Sequence, residues 1–83
     1  MSALNIEIIS VEGVTFKGEC AMAVVPSIEG DLGIMQNHEA VIAKLKAGHV
    51  TVYDNLQNVV KQIEIAGGFA EMSGAGKLIV LID

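Results

Sequence analysis

The chain has 83 residues, enough for one small domain, and 52% of them are hydrophobic while only 18% are charged. Ten acidic residues against five basic ones give a net charge of −5, so nucleic-acid binding is not expected, because nothing could neutralise a row of phosphates. So many apolar residues exceed what a small interior can hold. We therefore expect a partner protein, or a further segment of the chain, to cover part of the surface.

Three further features concern the cellular setting. No window of about 18 residues is free of charges and turn glycines, so the sequence predicts no insertion into the membrane. The first residues, Met1 to Asn5, have no basic residue before the apolar part and no small-residue cleavage pattern, so a signal peptide is not expected. A single cysteine, Cys20, cannot form an internal disulfide, which is typical of a reducing compartment. We predict that it is a small buried hydrophobe in a strand.

Alternating apolar and polar residues, separated by turn residues, predict a series of short strands. In chain order these are residues 4–10, 14–17, 20–26, 49–53, 59–65, 69–72 and 77–83. In the first of them, Leu4, Ile6 and Ile8 should face inward, while the last is apolar on both faces and should be central in a sheet. Residues 39–46 fit either a helix or a strand, and we favour a strand because the segment is short and lacks a good cap.

The stretch from Glu29 to Ala40 interrupts this series with two glycines, three acids, an asparagine and a histidine. These residues predict a loop that reverses direction. The same stretch holds Leu32, Ile34 and Met35, so we expect it either to fold back onto the core or to dock on another molecule. Further along the chain, Gly67-Gly68 predicts a bulge or a close approach of two backbones.

Short strands joined by short turns predict an all-β fold. We expect a single domain built as a flattened antiparallel β-sandwich or barrel of short strands, in which two sheets bury their inner faces together.

No arrangement of residues points to an enzyme or to a cofactor. Glu29 with Asp31, and His38 with Glu39, lie in a solvated turn of a domain too small for a deep cleft, where acid–base catalysis is unfavourable. Two histidines eleven positions apart and one cysteine offer none of the usual metal-ligand spacings. The paired glycines lead into strands rather than into a helix, so a phosphate-binding loop is not expected.

Five fragments, in order and in spacing, resemble the epsilon subunit of the F-type ATP synthase along essentially the whole chain. They are Phe16-Lys17-Gly18, Glu29-Gly30-Asp31-Leu32-Gly33-Ile34, His38, Leu45-Lys46-Ala47-Gly48 and Gly67-Gly68-Phe69-Ala70-Glu71. The chain departs from the family's pattern at Gln36-Asn37-His38-Glu39-Ala40, where prolines usually flank the histidine. It also ends at Asp83, where the family usually continues into a helical hairpin.

The resemblance implies that residues 1–83 are the N-terminal β-sandwich domain of such a subunit. It implies a non-catalytic rotor subunit in the central stalk of a proton-translocating synthase, without a cofactor, that links the gamma subunit to the membrane c-ring. Such a subunit is peripheral on the cytoplasmic face of the bacterial inner membrane and is not itself inserted.

The resemblance also implies which residues contact the partners. By positional match they are Ser10, Glu29, Asp31, Ile34, His38 and Glu39. Ser10, His38 and the residues next to His38 are expected to face gamma, whereas Glu29, Asp31 and Ile34 are expected to approach the loops of the c-ring.

Two other interpretations stay open at this point. One is a free-standing β-sandwich module that recruits a different partner through the same apolar surface. The other is a small enzyme with His38 and Glu39 in its site.

Overall fold

Nine short strands make up the regular structure of the residues that the structure describes. A computed structural model describes residues 3–55 and 57–83, so the first two residues of the N-terminal stretch considered above lie outside it. In chain order the strands are β1 (Leu4–Ser10), β2 (Gly13–Cys20), β3 (Met22–Ser27), β4 (Gly30–Met35), β5 (Val41–Leu45), β6 (Gly48–Asn55), β7 (Asn58–Ile65), β8 (Gly68–Met72) and β9 (Lys77–Ile82). The described residues contain no helix, and hence none long and apolar enough to cross a membrane.

The strands form one curled sheet around a common core. Its order is β2-β1-β9-β8-β5-β3-β6-β7, and β4 pairs with β3 from the side away from β6. The curl directs one face of the sheet to the interior, as the predicted alternation requires. The buried hydrophobic residues are Leu4, Ile6, Ile8, Cys20, Ala23, Val25, Ile34, Leu45, Val50, Val52, Ile65, Ala70, Met72, Leu78 and Val80. The all-β fold class is therefore confirmed.

Several of the predicted elements are confirmed in position and type. Strand β1 buries Leu4, Ile6 and Ile8, and Cys20 lies in the core with 4% of its surface exposed. Strand β9 lies between β1 and β8, so the apolar C-terminal run is central. Residues 41–45 form a strand rather than a helix, because they pair along their whole length with β8 and bury Leu45.

The expectation of antiparallel pairing throughout was wrong at one place. Strands β1 and β9 are parallel, with Asn5 opposite Lys77 and Ile9 opposite Leu81. A short turn forces the two strands that it joins to be antiparallel, but it has no bearing on strands that no turn connects. The two ends of the chain meet here across almost the full length of the sequence.

The predicted strand at 20–26 is also corrected, because the chain changes neighbours at Ala21. Before this residue β2 pairs with β1, where Cys20 lies opposite Leu4. After it β3 pairs with β6, where Met22 lies opposite Tyr53. The backbone amide of Ala21 donates a hydrogen bond to the Tyr53 carbonyl at 2.8 Å, which fixes the transition. A continuous apolar run thus divides between two strands.

The predicted loop at 29–40 is wrong in its first half. Residues Gly30–Met35 form β4, which pairs antiparallel with β3 from Met22 to Ser27. The glycines weaken the local strand preference, but the ladder with β3 and the burial of Ile34 outweigh it. Only the turn at 28–29 and the segment 36–40 are left as connections, and the stretch folds back onto the core.

The close backbone approach predicted at Gly67-Gly68 is confirmed. Gly68 has a φ of 145°, and a Cβ atom at this position would collide with the carbonyl oxygen of Leu81 on β9. A residue with a side chain could not hold β8 this close to β9.

Candidate functional site

A groove lies between the turn that joins β3 to β4 and the outer face of β5. Its volume is about 510 Å³, and it is lined by Ser27, Ile28, Glu29, Gly30, Asp31, Leu32, Val41, Ile42, Ala43 and Lys44. Both carboxylates, of Glu29 and Asp31, are exposed, and two isoleucines beside them are exposed as well: Ile28 by 55% and Ile42 by 72%. We call this the acidic groove.

Two backbone hydrogen bonds hold the turn of the acidic groove beside β5, and a third bond, to a side chain, lies within the turn. The amide of Ile28 donates to the carbonyl of Lys44 at 2.9 Å, and the amide of Lys46 donates to the carbonyl of Pro26 at 2.9 Å. Within the turn, the Glu29 amide donates to Ser27 Oγ at 3.1 Å. Glu29 is therefore carried on a hydrogen-bonded turn, and Asp31 on β4, where it pairs with Pro26 of β3.

A second surface is a row of apolar side chains on the outer face of β8, β9, β1 and β2. Phe69 lies opposite Leu81, Leu81 opposite Ile9, and Ile9 opposite Val14. Phe69, Leu81 and Val14 are each about half exposed, at 49%, 48% and 56%. A row of this kind on a sheet is typical of a protein interface. We call it the apolar row.

The next row of the same face has a different character. It runs from Glu71 through Ile79 and Glu7 to Lys17 and carries three charges. A depression of about 470 Å³ lies at this end, between β1, β2 and the turn before β9, and its lining includes Glu7, Lys17 and Lys77. The apolar row is thus confined to one end of the four strands.

The structure separates the two residues predicted to face gamma. Ser10 is the last residue of β1 and follows Ile9, which pairs with Leu81 of β9. The next residue of β9, Ile82, pairs with Gly68, and Gly68 pairs with Leu45. Ser10 therefore lies at the Leu45 end of β5. His38 precedes the other end of β5. The two ends of β5, Val41 and Leu45, are four residues apart, which corresponds to about 13 Å along a strand.

Local contacts explain how each of these two side chains is held. Ser10 Oγ accepts a hydrogen bond from the Glu12 amide at 3.2 Å and so stabilises the β1–β2 turn, next to the apolar row. His38 Nδ1 lies 2.7 Å from the carbonyl oxygen of Glu39, and the His38 amide donates to the Met35 carbonyl at 3.0 Å. Ser10 therefore shares the Leu45 end of β5 with the turn between β3 and β4, because Leu45 also pairs with Ser27. His38 precedes Val41, at the other end of β5.

Ile34 has no exposed surface. Its side chain is fully buried in the core, opposite Ala23 on β3. Whatever its position in the sequence suggests, it stabilises the domain from within and offers no side-chain surface to a partner.

The described residues contain no group of three or more histidine, cysteine, aspartate or glutamate side chains that could hold a metal ion. Burial raises the pKa of the Cys20 thiol, opposed by a weaker hydrogen bond with the backbone of Met22. A protonated, buried thiol is a poor nucleophile, so Cys20 acts as a packing residue.

Comparison with known proteins agrees with this geometry. Residues 3–83 match the family described as the ATP synthase Delta/Epsilon chain, beta-sandwich domain. The chain belongs to this family. Among curated relatives, the ATP synthase epsilon chain of Moorella thermoacetica is 36% identical over 83 residues, which are 100% of this chain and 60% of that one. That of Parvibaculum lavamentivorans is 38% identical over 77 residues, covering 93% and 58%. The chain spans about 60% of the length of these relatives.

Other relatives differ in length, and solved structures share the fold. The epsilon chain of Caulobacter vibrioides is 35% identical over 80 residues, 96% of this chain and 91% of its own length. A chain of the Euglena gracilis mitochondrial ATP synthase (OSCP/F1/c-ring) superimposes with a TM-score of 0.88 at 19% identity, over 99% of this chain and 51% of that one. A chain of the Tetrahymena thermophila mitochondrial ATP synthase (central stalk/c-ring) gives 0.80 at 12% identity, over 98% and 63%. At these identities the likeness establishes the fold.

Within this delta/epsilon domain, the sequence analysis missed the hydrophobic members of both surfaces. Two of these residues carried a signal in the sequence. Ile42 is the one apolar residue that the strand pattern of 41–45 places on the outer face, and Ile9 breaks the alternation of β1 on its outward side. Phe69, Leu81 and Val14 become neighbours only through the register of four strands, two of which are parallel. Local patterning contains no information about that register.

Proposed function

We propose that this chain is the β-sandwich domain of a non-catalytic epsilon subunit in the central stalk of a proton-translocating F-type ATP synthase. In this role it joins the gamma subunit to the membrane c-ring, so that rotation passes between them without slipping. It is peripheral on the cytoplasmic face of the bacterial inner membrane. The observation that carries the proposal is the family match over residues 3–83, together with relatives named ATP synthase epsilon chain over the full length of this chain.

The arrangement of the two surfaces supports a linking role. Phe69 in the apolar row lies directly opposite Lys44, which lines the acidic groove. The two surfaces are therefore adjacent but differ in chemistry, as expected of one rigid part that holds two partners side by side.

We assign the apolar row, with Ser10 beside it, to gamma, and the acidic groove with Glu29 and Asp31 to the c-ring. An apolar row that is half exposed suits a permanent neighbour, whereas an exposed acidic turn suits orientation by charge. His38 and Glu39 lie at the other end of the sheet. For His38 and Glu39 to contact gamma as well, gamma must extend along the strands from one end of the sheet to the other. The longest dimension of the domain is 33 Å.

The gamma assignment is tested with a catalytic head that lacks this subunit, to which the chain is added back. Replacing both Phe69 and Leu81 by Ser should weaken binding to gamma by at least about tenfold, because two half-exposed side chains lose their apolar contact. Val60→Ser on β7 is the matched control, since Val60 is 47% exposed and lies outside the row. Equal binding by the double variant and the control would remove the apolar row from the interface.

The mechanical role is tested by adding the same head back to membrane vesicles. We expect the head to hydrolyse ATP without this chain, because the chain supplies no catalytic group. ATP-driven proton pumping should require the chain, because pumping depends on the connection to the c-ring. Loss of all hydrolysis on its removal, or full pumping in its absence, would contradict the proposed function.

A further inference from the structure

We infer that the free edge of β2 binds the same edge of a second copy of the chain, so that the two sheets join through an antiparallel strand pair centred on Gly18. In this pairing Lys17 lies opposite Glu19 of the second copy, and Glu19 lies opposite Lys17 of the second copy. The inference goes beyond the proposed function, because it concerns contacts between copies of the chain and not with partners in the stalk.

The edge of β2 is open. Three strands, β2, β4 and β7, each have only one neighbour within the part of the chain that the structure describes. In the middle of β2, Lys17 and Glu19 are exposed, and Gly18 between them is partly exposed. An open edge of this kind presents unpaired backbone N–H and C=O groups that another strand can bind.

The hydrogen bonds of β1 decide which backbone groups of β2 are free. The Asn5 amide donates to the carbonyl of Gly76, just before β9, at 2.9 Å. The backbone of Asn5 therefore points to β9 and away from β2. This direction alternates along a strand, so Ile6 points to β2, where it lies opposite Gly18. Gly18 thus uses its N–H and C=O groups on β1, and those of the residues on either side of it point to the open edge.

Symmetry and charge select one register for this edge. Residues directly opposite in an antiparallel ladder share a face, so a twofold axis pairs only residues an even number of positions apart. With the axis at Gly18, Lys17 exchanges both backbone hydrogen bonds with Glu19 of the second copy, and their side chains form an ion pair on each side of the axis. Moving the axis by one residue, to Lys17 or to Glu19, sets two like charges opposite each other.

The charges next to β2 favour the same pairing. On the outer face Lys17 lies opposite Glu7 of β1, whereas Glu19 lies opposite the uncharged Asn5, which in turn lies opposite Lys77 of β9. In the joined sheets Lys17 therefore stands between two carboxylates, that of Glu7 and that of Glu19 of the second copy. No like charges become direct cross-strand neighbours in this arrangement.

The other two open edges lack this self-complementarity. In β4 Asp31 is the only charged residue. In β7 Lys61 and Glu64 are three positions apart, so they point to opposite faces and cannot lie opposite one another in a symmetric ladder. A charged edge also discourages pairing with strands in general, so the partner that β2 selects is the complementary second copy.

Sedimentation of the purified chain over a range of concentrations measures this pairing. The ladder is short, so the dimer should be weak, with a dissociation constant of about 0.1–1 mM. Lys17→Glu and Glu19→Lys each set like charges opposite one another on both sides of the axis, and each should raise the dissociation constant at least about tenfold. The matched controls are Lys61→Glu and Glu64→Lys, which make the same changes in charge at exposed positions of β7 and should dimerise as the unaltered chain does.

An equal mixture of the Lys17→Glu and Glu19→Lys chains gives the decisive comparison. One chain then has acids at both positions and the other has lysines at both, so the mixture should dimerise as strongly as the unaltered chain although neither variant does so alone. Both variants keep a net negative charge, because the unaltered chain carries −5 and each substitution changes it by two, so overall attraction does not explain such a result.

Three results would overturn the inference. They are a chain that stays monomeric at about 1 mM, a dimer that the two single variants leave unchanged, and a mixture that does not associate. Thermal unfolding of each variant, followed by circular dichroism, shows that a loss of pairing is not a loss of folding. None of these results bears on the contacts with gamma or the c-ring, so the proposed function is tested separately.

Discussion

Replacement of Gly68 by alanine should destabilise the domain strongly, because two separate costs coincide there. A φ of 145° costs a residue with a side chain about 1–3 kcal/mol. The added Cβ would also collide with the Leu81 carbonyl oxygen, and moving a strand to relieve this overlap costs about 1–3 kcal/mol more. The loss is therefore about 2–6 kcal/mol, much of the free energy of unfolding of a small domain. At about 4–8 °C per kcal/mol, the melting temperature should fall by at least about 8 °C.

Two further glycines separate the cost of the backbone dihedral from the cost of the collision. Gly13 also has a positive φ, 121°, but its Cβ would meet nothing within 4 Å, so Gly13→Ala should show the dihedral cost alone. Gly74 has neither feature, and Gly74→Ala should change the free energy of unfolding by less than about 0.5 kcal/mol. Urea unfolding followed by circular dichroism gives all three values. Equal losses for Gly68→Ala and Gly13→Ala would refute the close approach of β8 to β9.

Two other predictions concern single buried side chains. Ile34→Ala should lower the free energy of unfolding, measured in urea, by about 2–5 kcal/mol. The neighbouring Met35 is 42% exposed, and Met35→Ala should lower it by under about 1 kcal/mol. Equal small losses for the two variants would place Ile34 outside the core. The Cys20 thiol should react with a thiol reagent only in urea, since it is buried and its pKa is raised, and rapid labelling of the folded protein would contradict this burial. The unfolded chain loses the thiol proton of Cys20 more readily than the folded chain does. The stabilisation that comes from the raised pKa should therefore be full below about pH 8.5 and fall above it. Cys20→Ala should remove this pH dependence of the free energy of unfolding.

Local patterns were sufficient for the elements that pair with their sequence neighbours. The alternation in β1, the strands at 49–53 and 59–65, and the close approach at Gly67-Gly68 could all be predicted, because each depends on residues close in sequence. The break at Ala21 and the strand β4 could not, because both depend on which strand lies alongside. For the same reason the sequence could single out Glu29 and Asp31 as candidate contact residues, whereas the isoleucines that line the same groove could be recognised only with β5 in place.

The parallel pair of β1 and β9 also limits when this domain can form during synthesis. Strand β1 has β2 as a partner almost as soon as it is made, but its other edge stays unpaired until β9 emerges from the ribosome. At typical elongation rates that delay is on the order of 4–14 s for about 70 residues. Until then Leu4, Ile6 and Ile8 lack Leu78 and Val80 against them, and the apolar row is incomplete. Strand β9 therefore both closes the core and completes the surface proposed to bind gamma, so this surface does not form before β9 has been translated.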